Sequence, residues 1–156
     1  MPAPDLDTLY DVEHYVEAAV KAMLEAESIV VADHRSNEDL ITPRAEVMFA
    51  IQESAEHYQF VDDEPFVDSW RGNLSIACVT NRAKDPASHR VYVRKVRRVM
   101  SQDPTYSINE GMDYHTVIRA IEAGTEYDVA GDDDLDASRL NFSLQVHIRP
   151  DAWPIL

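Results

Sequence analysis

The chain is poor in the residues that build several common kinds of site. It has one cysteine, four glycines and no long apolar run among 156 residues. The lone Cys78 excludes an intrachain disulfide, so we expect synthesis in a reducing cytoplasm. Scattered glycines exclude glycine-rich loops that cradle phosphates. No segment approaches the ~20 apolar residues of a membrane helix, and residues 1–8 lack the basic start of a signal peptide. We therefore expect a soluble protein with no membrane partner.

Cationic side chains are also scarce, and half of them lie in one short segment. The chain has 14 Lys and Arg against 29 Asp and Glu, a net charge of −15. Seven of the cations fall between Arg82 and Arg98 beside one acid, Asp85, so this segment carries +6 against −21 elsewhere. Such a division favours contact between the basic region of one copy and an acidic region of another. The alternative is a solvated helix face on an acidic protein.

The spacing of apolar residues predicts an α+β fold. A helix is expected over residues 9–27, with a capping box from Thr8 to Asp11. A second helix follows Asp85-Pro86, an N-cap with proline at the first helical position. The order of elements predicts a single domain over residues 1–156, with an antiparallel sheet and both helices on one face. Alternation predicts strands over 44–56, where a helix remains an alternative, and over 70–80, 114–123 and 138–149, the last two joined by a long hairpin loop at 124–136.

Motifs for catalysis or metal binding are missing. Asp132, Asp134 and Asp136 alternate as in a calcium loop, but Ala137 stands where that loop needs glycine and Ser143 where it needs glutamate. The six histidines follow no metal-ligand spacing, and no nucleophile elbow is present. We therefore expect no enzyme, no cofactor and no metal site.

The candidate binding residues are the arginines of the second helix, expected on the face opposite its apolar stripe. Phosphate binding is disfavoured because the net charge of −15 opposes it and no aromatic platform accompanies the basic patch. An acidic DNA mimic, or a protein that sequesters a basic partner, fits the overall charge and is the alternative function, but it leaves the basic helix unexplained. The predicted interface residues in this helix are Arg90, Arg94, Arg97 and Arg98.

The end of the last predicted strand carries a family resemblance. It reads Arg149-Pro150-Asp151-Ala152-Trp153-Pro154. Together with segments 72–82 and 114–121, this ending resembles the tail terminator (tail completion) proteins of tailed bacteriophages, or a closely related neck protein. The resemblance extends over residues 44–154. The long acidic first helix and the loop around Asp132 depart from the family pattern.

This resemblance implies a structural protein of the virion, assembled in the host cytoplasm. Tail terminators form a homo-oligomeric ring, commonly a hexamer, at the head-proximal end of the tail tube, where the ring ends tube polymerisation and joins the tail to the head. The implied partners are further copies of the chain, the tail tube protein and the head connector protein. Genomic DNA would pass through the lumen without specific binding. Trp153 is expected at the subunit interface, because tryptophan is enriched at interface centres.

Overall fold

Two helices pack on one face of a five-stranded antiparallel sheet, which confirms the predicted α+β class. The computed structural model describes residues 6–32, 43–58, 67–81, 88–102, 106–107, 115–127 and 135–148. The strand order across the sheet is β1-β2-β5-β4-β3. In chain order the elements are α1 (Leu6–Ala26), β1 (Arg44–Tyr58), β2 (Val67–Asn81), α2 (Ser88–Gln102), β3 (Tyr106–Ser107), β4 (His115–Tyr127) and β5 (Leu135–Ile148).

The core lies between the helices and one face of the sheet. Alternate residues of each strand point to this face, so Phe49, Leu74 and Phe142 meet in register across β1, β2 and β5. Cys78 is fully buried here and packs as a small apolar side chain. The period of two thus confirms β1 as a strand and rejects the helical alternative. The helices contribute Val12, Val16, Val20 and Leu24 from α1, and Val93, Val96, Val99 and Met100 from α2.

The start of α1 differs from the prediction, and its end has a defined cap. The predicted capping box is wrong, because the helix begins at Leu6 and Thr8 lies inside its first turn. A hydroxyl followed by an acid is a short local signal, and it recurs within helices as well as at their starts. The other end is a Schellman motif: Ser28 adopts the left-handed region with φ of 62°, and the Ile29 N–H donates to the Leu24 carbonyl at 3.0 Å.

The loop that separates β4 from β5 is shorter than predicted, because both strands are longer. β4 continues through Gly124 to Tyr127, and β5 begins at Leu135, so the predicted loop over 124–136 is wrong at both ends. Gly124 has φ of 144° at a register irregularity, a conformation open to glycine that lets pairing with β5 resume. Residues 131–134 of the calcium-like pattern lie outside the described residues. The two-residue strand β3 had no counterpart in the sequence pattern.

The outer edge of β1 is covered at two points. Val31 pairs with Ala45 in a short parallel bridge. Further along the strand, the Phe49 N–H donates to the Glu17 carboxylate of α1 at 3.0 Å. Edge strands with free backbone groups invite pairing with another chain, and these two contacts oppose it.

Candidate assembly surface

The described part of the basic segment, residues 88–98, lies in a helix with two different faces. In α2, residues spaced by three and four turn Val93 and Val96 toward the sheet, while Arg90, Arg94 and Arg98 are exposed. The prediction that the arginines lie opposite the apolar stripe is confirmed for these three. Arg97 departs from it, because it stands four residues after buried Val93 and only about a third of its side chain is exposed.

A polar cleft opens between α2 and the neighbouring ends of β4 and β5. Its volume is about 600 Å³. Among the described lining residues, three arginines come from α2 and one acid, Asp136, comes from β5, so cations outnumber acids among them. Tyr127 stands at the rim with 65% of its surface exposed, which corrects the expectation that no aromatic ring accompanies the basic patch. The described lining residues are His89, Arg90, Val93, Arg94, Arg97, Tyr127, Asp136 and Ser138.

Arg97 joins α2 to the edge of the sheet. Its Nε donates to both carboxylate oxygens of Glu122, at 2.9 and 3.1 Å, and its Nη2 donates to Thr125 Oγ1 at 2.9 Å. The Thr125 hydroxyl in turn donates to Glu122 at 3.1 Å. Burial acts to lower the pKa of the Arg97 guanidinium, but hydrogen bonding and charge interaction with Glu122, and then with Tyr127, raise it overall. Arg97 thus positions the helix, and its charge is largely answered within the subunit.

His89 fixes the first turn of α2 over the sheet. One ring nitrogen, Nδ1, lies 2.8 Å from Thr80 Oγ1 on β2, and the other, Nε2, lies 2.8 Å from Ser138 Oγ on β5. Both hydroxyl residues are buried, so these hydrogen bonds satisfy groups that would be costly to leave unpaired. With both nitrogens engaged, the imidazole is a structural bridge at the floor of the cleft. A free general base would need one nitrogen facing a substrate.

The other flank of α2 carries a smaller, apolar groove of about 280 Å³. Val91 lines it with 62% of its surface accessible. The Tyr92 ring is half-buried, and burial raises the pKa of its phenol. Its hydroxyl has no hydrogen-bond partner among the described residues. The described lining residues are Pro43, Thr80, Asn81, Ser88, Val91, Tyr92 and Lys95.

The predicted interface residues therefore do not act alike. Arg90 and Arg94 meet in the polar cleft with Arg97, whereas Arg98 is exposed on α2 but does not line the cleft. Trp153 lies outside the described residues. The sequence offered one signal for the different position of Arg97, its place beside the buried stripe. It offered none for Glu122, which is 25 residues away within the predicted strand over 114–123.

Two properties of the described ranges bear on metal binding and on the reactivity of Cys78. These ranges contain no cluster of three or more His, Cys, Asp or Glu side chains able to hold a metal ion. Burial raises the pKa of the Cys78 thiol to about 12, which suppresses the thiolate that a nucleophile requires. Neither described helix combines the length and apolarity needed to cross a membrane.

Comparison with known proteins gives a likeness in structure. No protein-family model matches the sequence, and no curated protein matches it. The fold is similar to that of a chain in the virion of a native gene transfer agent particle, with a TM-score of 0.51 and 12% sequence identity. The match covers 89% of this chain and 91% of the other. At this identity the likeness shows a shared fold along almost the whole of both chains.

Proposed function

We propose that the chain is a structural component of a tailed-phage-like virion, and specifically a tail terminator. In this role, copies form a ring at the head-proximal end of the tail tube, end tube polymerisation and join the tail to the head connector. The observation that carries the proposal is the shared fold with a chain of a gene transfer agent virion, end to end at similar length. A closely related neck protein would have the same structural role at an adjacent position.

The charge distribution supports self-assembly. A closed ring needs a head-to-tail interface, in which two different surfaces of the same chain meet. The polar cleft, with the exposed Arg90 and Arg94, offers a basic surface on a chain whose net charge is −15. An acidic surface of the next copy is its natural complement. The acidic remainder would also repel the passing genome, so DNA would cross the lumen without adhering.

The experiment compares the size of the native chain with that of charge-reversed variants. We expect the native chain to sediment as an oligomer and to appear in electron micrographs as rings with an open channel. Arg90→Glu/Arg94→Glu should leave the fold intact, because exposed substitutions change stability by about 0.5 kcal/mol or less. It should nevertheless shift the chain to monomers. Arg97 is left unchanged, since its reversal would also break the contact with Glu122.

A matched control separates the effect of charge at the polar cleft from the effect of net charge on the whole chain. Lys21→Glu/Arg71→Glu makes the same change in net charge at exposed positions on α1 and on the face of the sheet opposite the helices. This control should still form rings. A native chain that stays monomeric at micromolar concentration would refute the terminator role and favour the DNA-mimic alternative. Equal assembly of both double variants would refute the role of the basic cleft.

A further inference from the structure

The proposed contact between copies at the polar cleft would leave the apolar groove of α2 unoccupied. It lies on the opposite flank of the helix from the polar cleft and exposes Val91 beside the ring of Tyr92. Concave apolar surfaces with a few polar groups at their margin are typical of binding sites. Here Lys95 supplies the charge at the margin. The groove is therefore suited to an apolar segment that carries an acid or an aromatic ring.

We propose that this groove binds the segment around Trp153 of a neighbouring copy. The proposal rests on the ring described above, because it requires a second copy beside the first. The segment Ala152-Trp153-Pro154-Ile155-Leu156 is wholly apolar and follows Asp151. Pro150 and Pro154 cannot donate hydrogen bonds to a strand, so the segment is unsuited to extending β5 within the sheet.

The reach of the chain excludes the groove of the same copy. β5 begins at Leu135, paired with Asn81 beside the groove, and ends at Ile148, paired with Asp68 at the far end of β2. Thirteen steps along a strand span about 43 Å. Trp153 follows Ile148 by five residues, which is at most about 18 Å of extended chain.

The direction of α2 shortens the distance between Ile148 and the groove, but not by enough for Trp153 of the same copy to reach Val91. Contacts of His89 near the Asn81 end and of Arg97 nearer the middle of the sheet show that the helix runs back along β2. Val91 lies three residues after Ser88, which is only about 5 Å along the helix axis. An indole from the same copy therefore falls well short of Val91, whereas one from a neighbour has no such limit.

The chemistry of the two partners matches. Val91 and the Tyr92 ring offer apolar contact to an indole, and the ammonium group of Lys95 can lie against its face. Asp151, two residues before the indole, adds an opposite charge for Lys95. Tryptophan in such a pocket is a frequent hot spot of protein interfaces. Each copy would then be joined to the next both by charge at the cleft and by apolar contact at the groove.

The test crosslinks two full-length variants, each with one added cysteine. A copy with Val91→Cys is mixed with a copy with Ala152→Cys, which keeps the indole, and the mixed oligomer is oxidised. The native Cys78 is buried and stays out of the reaction, since its thiol is protonated. We expect a disulfide-linked dimer on a non-reducing gel. The matched control replaces Val91→Cys by Met48→Cys, where 48% of the native residue's surface is exposed on the face of the sheet opposite the helices, and should give no such dimer.

A second variant tests the indole itself. Trp153→Ala added to the Ala152→Cys copy should abolish the crosslink, and Trp153→Ala alone should weaken assembly about thirtyfold, the change expected for a hot-spot side chain. Equal crosslinking at Met48, or unchanged assembly of Trp153→Ala, would overturn the placement while leaving the ring intact. A native chain that forms no oligomer would overturn both proposals together.

Discussion

The contact between Arg97 and Glu122 gives a sharp prediction, because it separates a positioning arginine from an assembling one on the same helix. We expect Arg97→Ala to lower the free energy of unfolding by about 1 kcal/mol, and Glu122→Ala by a similar amount. Exposed ion pairs contribute roughly 0.2–1 kcal/mol. The upper end applies here, since both side chains are about one-third exposed and the guanidinium also holds Thr125. Arg94→Ala, at an exposed position, should change stability by about 0.5 kcal/mol or less.

A double-variant cycle isolates the free energy of the interaction between Arg97 and Glu122 from the other effects of each substitution. Arg97→Ala/Glu122→Ala should cost less than the sum of the single changes, with a coupling of roughly 0.5–1 kcal/mol. Urea denaturation followed by far-UV circular dichroism measures each variant. The series is run at two protein concentrations, because association adds to apparent stability. Higher salt should reduce the coupling, since the pair is partly open to solvent.

Two outcomes would contradict this division of roles. Strict additivity of Arg97→Ala and Glu122→Ala would mean that the contact contributes nothing to the folded subunit. Equal losses of stability for Arg94→Ala and Arg97→Ala would mean that α2 is not anchored through Arg97. Assembly gives the complementary measurement: Arg94→Ala should weaken ring formation, while its denaturation midpoint stays close to the native value at a concentration low enough for both proteins to be monomeric.

Two further predictions concern positions where the backbone or its neighbours restrict the side chain: Gly72 in β2 and Ser28 at the end of α1. Gly72→Ala should destabilise the chain by about 1–3 kcal/mol or more, as overpacking does, because a Cβ there would lie 2.5 Å from the Ala50 carbonyl oxygen and 2.6 Å from the Phe49 ring. A native denaturation midpoint for this variant would contradict that packing. Ser28→Gly should stabilise the chain by about 0.5–1 kcal/mol, since glycine adopts the left-handed conformation at the end of α1 without steric cost. A lower melting temperature would show that the serine side chain matters more than its backbone.

The architecture of α2 suggests how one helix can serve both the subunit and the assembly. Its apolar stripe and two anchoring residues, His89 and Arg97, hold it on the sheet. Its two flanks then present a basic cleft and an apolar groove in fixed relation to each other. A rigid support of this kind reduces the conformational entropy lost when copies associate. The charged flank would direct encounter and orientation, while the apolar flank would supply contact area.

Most of the fold was predictable because its signals are local. A period of two in β1, β2 and β5, and spacings of three and four in the helices, follow directly from which side chains each element must bury. Those signals weaken where burial weakens. β4 is largely exposed along its described side chains, so its extension past Gly124 was read as a loop, and β3 is too short to show a period. The start of α1 was misplaced because a capping pattern of four residues is not unique to helix starts.

By itself, the sequence determined the α+β class, the amphipathic character of α2 and the concentration of positive charge on it, since each depends on residues close together in the chain. Tertiary structure alone decided what that charge meets. Pairing of β4 with β5 brings Glu122 under Arg97 and Tyr127 to the rim of the cleft, and packing of α2 places His89 between two strands. These contacts join residues up to 49 positions apart. Which distant strands become neighbours depends on how they bury a shared core, and a local sequence pattern does not predict that pairing.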